Sequence, residues 1–207
     1  MRLGIALMLL TAAMPASPAT TGDWRFRVLL DGREIGIHRY ALESAGEGIV
    51  LRSEAAFDVR LLYVSVYRYR HEAVERWRGG CLASLESRTD TNGKRIAVTA
   101  AVEGGGLAVT RPAGRDLHRG CVMSFAYWDP RILEADRLLN SQTGEFVAVQ
   151  VAPRGREAVP VRGENLAASG YRISGPGLQV DLWYVDGQWV ALEALVKGGR
   201  RLRYELL

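Results

Sequence analysis

The residues that could do catalytic or metal-binding chemistry are few and form no recognised motif. The three histidines, His38, His71 and His118, stand in unrelated contexts, and none has a second histidine at a metal-ligand spacing. The densest titratable group is His71 with Glu72 and Glu75, and we interpret it as the charged residues of a solvated turn. The sequence therefore predicts neither a metal site nor a bound cofactor.

Signatures of covalent or acid–base catalysis are also missing. The chain has no G-x-S-x-G elbow, no phosphate-binding P-loop and no dinucleotide-binding glycine pattern. Asp129, Glu134 and Asp136 could exchange protons, but their spacing suits a helix cap and a polar helix face equally well. A nucleophilic Cys81 or Cys121 would need neighbours that the sequence does not place. We therefore predict that the protein is not an enzyme.

Aromatic residues on predicted strands are the group of residues that most clearly indicates a binding site. Tryptophan and tyrosine pack cores first, and in a curved sheet they also line cavities for apolar ligands. We expect a site of this kind to be lined by Tyr67, Tyr69, Trp183, Tyr184, Trp189, Glu193 and Tyr204.

Glycine-containing turns divide the chain into antiparallel strands that must position these residues. Runs of alternating apolar and polar residues flank Asp31-Gly32, Asn92-Gly93, Gly104-Gly105-Gly106, Asp186-Gly187 and Gly198-Gly199. A two-residue loop at the first turn pairs Val28 with Ile35 and Phe26 with Ile37. That register predicts a solvent-facing His38.

The carboxy-terminal strands make a sharper prediction about a carboxylate. Two-residue loops in both turns place Glu193 opposite Val180 and Tyr204, on the apolar face of the sheet. An unpaired charge is costly to bury. We therefore predict that Glu193 is at least half buried and bonded to Tyr204 or to a polar group of an internal cavity.

One segment departs from the strand pattern. Asp129 and Pro130 suit the start of a helix, and apolar residues at helical spacing extend it to about Leu139. A weak helical turn is predicted at residues 71–76, and residues 152–168 read as connecting strand or loop. The pattern predicts a mainly β fold, a curved antiparallel sheet or incomplete barrel of about nine or ten strands with one short helix on its concave side.

The first residues are typical of a secretory signal peptide. Arg2 precedes an apolar run, and small residues fit cleavage after Ala19. We expect residues 1–19 to be removed and residues 20–207 to form a single domain that is periplasmic or secreted. The apolar run is shorter than the about 20 residues that a membrane span needs, and no transmembrane segment is predicted.

The net charge bears on the class of binding partner, and the cysteine content bears on whether a disulfide can form. The formal net charge is +4, and the basic residues are scattered rather than clustered, which argues against nucleic acid as a partner. Cys81 and Cys121 are the only cysteines. They could form one disulfide in an oxidising compartment or remain two buried thiols.

Several stretches resemble a family of exported bacterial proteins that is defined as a domain of unknown function. They are residues 67–72 (YRYRHE), 75–82 (ERWRGGCL), 89–93 (TDTNG), 138–144 (LLNSQTG) and 181–184 (DLWY), with Trp189-Val190. More distantly, the layout is similar to the half-barrels of periplasmic lipoprotein and lipid carriers. That likeness implies a curved sheet wrapped over a short helix and an apolar cavity.

Two functions follow as the main expectations, ahead of a third, a hydrolase or other enzyme that would use His71 and neighbouring carboxylates. The first is a binding or carrier module of the cell envelope that holds a hydrophobic small molecule, a lipid or an acyl chain. The alternative is a structural or accessory protein that docks another envelope protein.

Overall fold

The computed structural model describes residues 21–61, 64–196 and 198–207. The expected signal peptide, residues 1–19, lies outside the described residues. Within them no helix has the length and apolar character needed to cross a membrane.

The described residues form fifteen strands and one short 3₁₀ helix. The first eight strands are β1 Gly22–Leu30, β2 Arg33–Ala45, β3 Gly48–Leu61, β4 Val64–Arg78, β5 Cys81–Thr91, β6 Lys94–Glu103, β7 Gly106–Arg111 and β8 Gly114–Arg119. The 3₁₀ helix Pro130–Glu134 is followed by β9 Arg137–Leu139, β10 Phe146–Ala148, β11 Gln150–Val161, β12 Glu164–Gly175, β13 Leu178–Val185, β14 Gln188–Val196 and β15 Arg200–Leu206.

Thirteen of these strands make one antiparallel sheet. Its order is β11-β12-β13-β14-β15-β1-β2-β3-β4-β5-β6-β7-β8, and within the described residues no pairing joins the edge strands β11 and β8. The predicted fold class, a mainly β protein with an open antiparallel sheet, is confirmed. The sheet has more strands than the nine or ten expected, because residues 150–175 form a complete hairpin.

Residues 120–149, which we call the crossing segment, run from edge strand β8 to edge strand β11. Its strand β9 pairs with β10, and Leu139 at the end of β9 also makes an isolated parallel bridge with Ser124. Leu138 and Leu139 are both fully buried, but Leu138 belongs to a core cluster formed by β1–β3 and β11–β15, and Leu139 to a cluster formed by β4–β7. Because adjacent residues of a strand point to opposite sides, the sheet must curve around the crossing segment.

The predicted helix is shorter than expected. Asp129 caps it as anticipated, since its side chain accepts a hydrogen bond from the backbone N–H of Arg131, but Ala135 is already extended. The extension to Leu139 was wrong because burial of two consecutive leucines on opposite sides favours a strand over a helix. The helical turn predicted at residues 71–76 was also wrong, since those residues lie within β4.

The glycine turns were correctly located, but three strand registers, those of β1–β2, β13–β14 and β14–β15, were not. Asp31, Asn92 and Asp186 have positive φ, as their glycine partners do, in agreement with tight hairpins. In β2, however, Leu29 pairs with Glu34 and Val28 with Gly36, so that Ile35 is an extra, bulged residue.

The bulge reverses the face of the rest of β2. Phe26 pairs with His38 rather than with Ile37. The prediction of a solvent-facing His38 was therefore wrong: the side chain lies on the inner face, the face toward the crossing segment, and the residue is 8% exposed.

A second bulge moves Glu193 to the outer face of the sheet. Tyr184 pairs with Trp189 as predicted, but Trp183 pairs with Ala191, which leaves Val190 as the extra residue. Glu193 then lies opposite Asp181 rather than Val180. The β14–β15 register is also shifted by one residue, since Leu195 pairs with Arg201 rather than with Leu202, and Glu193 therefore lies opposite Arg203 rather than Tyr204. Its side chain is only 17% exposed, so the predicted burial is right, but the predicted face and the predicted bond to Tyr204 were wrong.

Candidate functional site

A cavity of about 330 Å³ lies between the inner face of the sheet and the crossing segment. Strands β2, β3 and β4 form one wall and β13, β14 and β15 another, while residues 125–128 and 140–142 of the crossing segment cover them. The exposed lining residues are Gln142, Pro176 and Gly177. They place the opening of the cavity between the β12–β13 turn and the 140–142 turn.

Cross-strand pairing brings the polar groups of the cavity together. Ala55 of β3 is the partner of both His38 on β2 and His71 on β4. In the next inward-facing row, Ser53 is the partner of Tyr40. Residues far apart in the chain therefore share one patch of the inner face, because directly opposite side chains lie on the same side of a sheet.

His38 is held by three hydroxyl groups. Its Nε2 lies 2.9 Å from Oγ of Ser53, and its Nδ1 lies 3.1 Å from the hydroxyl oxygens of both Tyr40 and Tyr204. The ring also stacks on Tyr40 with centroids 4.1 Å apart. Burial lowers the pKa of His38 from 6.5 to about 3, so the ring is neutral at physiological pH.

His71 is bonded on one side and open on the other. Its Nδ1 lies 2.9 Å from Oγ1 of Thr89, whereas its Nε2 has no hydrogen-bond partner among the described residues. Burial lowers the pKa of His71 to about 4. A neutral imidazole that lines a cavity with one free nitrogen offers a hydrogen bond to a ligand.

Glu75 is a buried carboxylate at the junction of β4 and the crossing segment. Ser124 donates its hydroxyl to the carboxylate, with Oγ 3.0 and 3.1 Å from the two oxygens, and Trp77 donates Nε1–H at 3.1 Å. Burial raises the pKa of Glu75 from 4.5 to about 7, and the two donors oppose this shift. The interpretation of His71 and Glu75 as a solvated turn was wrong, since both are buried on the inner face.

Aromatic contacts fix the part of the crossing segment that covers the cavity. Tyr184 donates its hydroxyl to the carbonyl oxygen of Tyr127 at 2.8 Å. Trp189 lies 5.4 Å from the ring of Tyr127, and Trp77 packs edge-on against Trp128 at 5.7 Å. These contacts join the crossing segment to both halves of the sheet, which gives the cavity a fixed shape.

The predicted ligand-lining residues are divided between the two faces of the sheet. Tyr204 lines the cavity, and Tyr69 lies beside it, stacked near His71. Tyr184 and Trp189 are buried in the inner core behind the lining. Trp183 belongs to the same buried cluster but does not line the cavity, and it donates Nε1–H to Glu157 at 2.8 Å. Glu193 lies on the outer face, and Tyr67 is 36% exposed.

Sequence reasoning missed the main polar residues of the cavity. His38 was assigned to the wrong face, and Ser53 and Ser124 carried no signal because isolated serines are common on strands and loops. The spacing of His71 and Glu75 was the usable signal, since residues four apart on a strand share a face.

His38 and Ser53 do not have the geometry of an activated nucleophile. The contact between His38 and Ser53 has the form of a base beside a nucleophile, but Nδ1 of the histidine meets tyrosine hydroxyls instead of a carboxylate, and a pKa of about 3 makes the ring a weak base. Among the described residues no group of three or more histidine, cysteine or acidic side chains could hold a metal ion.

Comparison with known proteins gives the family and supports the fold. A search of curated proteins gave no significant match. The chain is similar to a crystal structure described as a beta-barrel-like protein of domain of unknown function DUF1849 from Brucella abortus, with a TM-score of 0.67, 12% identity, and 90% of this chain and 95% of that chain covered. The family model described as domain of unknown function DUF6134 matches residues 26–207. The chain therefore belongs to the DUF6134 family.

Proposed function

We propose that the protein is a binding module of the cell envelope that holds a small, mainly apolar ligand in the cavity under the crossing segment. The observation that carries this proposal is the cavity itself, which two walls of the sheet and the crossing segment form and which is open on one side. Its volume of about 330 Å³ falls in the range of small-ligand sites.

The chemistry of the lining supports an apolar ligand. Leu51, Val180, Leu192 and Leu202 contribute aliphatic surface from both walls. The polar groups are few and converge on one side, as in sites where apolar walls supply affinity and a few hydrogen bonds fix orientation. Ligand carriage, whether of a lipid, an acyl chain or another hydrophobic molecule, is the activity that this lining favours.

An exported location is part of the proposal. The signal-peptide pattern in the first 19 residues supports it. A disulfide between Cys81 and Cys121 supports it too, because disulfides persist in oxidising compartments such as the periplasm and are rare in the cytosol.

The alternative of a docking protein has weaker support. An edge strand could pair with a strand of another protein, but β11 carries Pro153 and Pro160, and β8 is short and bears Arg115, Asp116 and Arg119. Proline and charge on an edge strand are features that oppose strand addition.

Filling the cavity tests the proposal. Ala194 lines the cavity, whereas its neighbour Leu195 is exposed on the same strand. We expect the wild-type protein to bind the neutral apolar dye N-phenyl-1-naphthylamine, and Ala194→Phe to weaken binding by about tenfold or more because the new ring occupies the site. Leu195→Phe is the matched control and should bind like wild type.

Fluorescence titration gives the affinities, and circular dichroism checks that each variant is folded. Equal dye binding by wild type and Ala194→Phe, or no binding by wild type, would refute the proposal. Native mass spectrometry of protein purified from its own host should in addition show a copurified small molecule.

A further inference from the structure

Glu75 is a buried carboxyl group without a cationic partner among the described residues. The residue is 5% exposed and lines the cavity. Its two hydrogen-bond partners, Ser124 and Trp77, are both neutral, and none of the ion pairs among the described residues includes it. The lining holds no lysine or arginine among those residues, and its two histidines are neutral.

The carboxylate also has spare hydrogen-bonding capacity. A carboxylate offers about four acceptor positions. Ser124 has a single hydroxyl proton and can satisfy one oxygen at a time, and Trp77 supplies one further proton. At least two acceptor positions therefore remain without a donor from the described residues, in a place where water and ligand are the remaining sources.

Burying an ionised Glu75 without a cation and without a full set of hydrogen-bond donors destabilises the folded protein unless another group compensates. An ionised carboxylate removed from water must gain a proton, a cation or additional donors. Protonation removes the charge but leaves acceptor positions of Glu75 without donors, whereas a bound cationic donor would supply both the missing charge and the missing hydrogen bonds. Charge-assisted hydrogen bonds of this kind are about twice as strong as neutral ones.

We propose that the ligand is an amphipathic amine, whose protonated amino group binds the Glu75 carboxylate while its apolar body lies along the aliphatic walls of the cavity. This inference rests on the proposed binding function and specifies its ligand class. It excludes fatty acids as the preferred ligands, because a ligand carboxylate would face Glu75 with no cation between them.

Three probes of equal chain length separate the ligand classes. Decylamine, decanol and decanoate are titrated against N-phenyl-1-naphthylamine bound to the wild-type protein at pH 8. At that pH Glu75, with a pKa of about 7, is largely ionised, and the amine is protonated. We expect decylamine to displace the dye at a concentration about tenfold or more below that of decanol, and decanoate to be the weakest competitor.

Two variants identify the group responsible. Glu75→Gln keeps an acceptor for Ser124 and removes the charge, so it should bring decylamine to the level of decanol and leave decanol within about threefold of its wild-type value. Glu72→Gln is the matched control, since Glu72 lies on the same strand and is exposed on the outer face. It should change neither competitor.

The outcomes distinguish this inference from the function on which it rests. If decanol or decanoate displaces the dye as well as decylamine does, the amine assignment is wrong and the binding function stands. If the dye does not bind at all, the proposed function is wrong. The comparison of the three probes on the wild-type protein needs no variant. Both the binding function and the amine assignment can therefore be tested even if Glu75→Gln does not fold.

Discussion

Asp181 and Glu193 lie directly opposite each other on β13 and β14, two carboxylates side by side on the outer face. Arginine side chains neutralise the charges of these two carboxylates to different extents. Asp181 accepts from Arg154 at 2.8 Å and from Arg172 at 2.7 Å, and its side chain is 7% exposed. Glu193 reaches Arg201 at 3.5 Å and Arg203 at 3.8 Å.

This difference predicts unequal costs for removing each charge. We expect Asp181→Asn to lower the free energy of unfolding by about 1–3 kcal/mol, because short bonds between a buried carboxylate and two arginines are lost. Glu193→Gln should cost less than about 1 kcal/mol, since its pairs are long and its arginines partly exposed. Urea denaturation of both variants measures the two values, and equal costs would contradict the assignment.

The disulfide predicts a loss of stability on reduction. Cys81 and Cys121 are joined with Cα atoms 5.1 Å apart and 40 positions between them. Opening a loop of that length should lower the free energy of unfolding by about 3–4 kcal/mol, because the unfolded chain gains freedom. Urea denaturation with and without reductant, and of the Cys81→Ser/Cys121→Ser variant, checks this. An unchanged midpoint in fully reduced protein would contradict it.

Acidification should change the stability contributions of the two buried histidines, His38 and His71, and of Glu75 in opposite directions. Burial lowers the pKa of both histidines below 6.5, so their contribution to stability is complete above pH 6.5 and is lost as the pH falls. The raised pKa of Glu75 has the opposite effect: its contribution is complete below pH 4.5 and is lost as the pH rises toward 7.

Glu75→Gln should therefore make the protein more sensitive to acid. Between pH 7 and pH 5 the wild-type protein gains stability from Glu75, by at most about 1.4 kcal/mol for each pH unit because one proton is taken up, and the variant does not. Urea denaturation at both pH values gives the comparison. A variant whose stability falls no more steeply than that of wild type would show that Glu75 titrates normally. Glu72→Gln is the control.

The bulge in β2 depends on a glycine. A Cβ on Gly36 would lie 1.9 Å from the backbone oxygen of Ala56, whereas a Cβ on Gly46, in the β2–β3 turn, would meet no atom within 4 Å. We expect Gly36→Ala to destabilise the fold by about 3 kcal/mol or more and Gly46→Ala by about 1 kcal/mol, the cost of positive φ alone. Thermal denaturation followed by circular dichroism compares them. A Gly36→Ala protein as stable as Gly46→Ala would place the bulge elsewhere.

The turns were predictable and the bulges were not. An Asp-Gly or Asn-Gly pair in the sequence indicates a turn with positive φ values, and this predicts the hairpins at Asp31, Asn92 and Asp186. The β11–β12 hairpin turns instead at Arg162-Gly163, where Arg162 has the same positive φ but belongs to a residue type that rarely adopts it. The hairpin was therefore not predicted, and residues 152–168 were interpreted as connecting strand or loop.

A bulge changes the face of every residue that follows it. Ile35 and Val190 are ordinary strand residues, and nothing in their type or spacing marks them as extra. One unmarked residue in each hairpin was enough to move His38 into the cavity wall and Glu193 out of it. The strand pattern could thus predict the fold class, but the composition of the cavity depended on two insertions that only cross-strand pairing reveals.

The pairing of β1 with β15 sets the order in which the protein can fold. These neighbours lie at the centre of the sheet, and Arg27 bonds Glu205 across 178 positions of sequence. The hairpins on either side of this pair can form from local contacts. The pairing of β1 with β15 itself requires closure of a very long loop, which is slow. The two arms of the sheet therefore remain unjoined until β15 is available, and the cavity, which β15 helps to line, forms with that last strand.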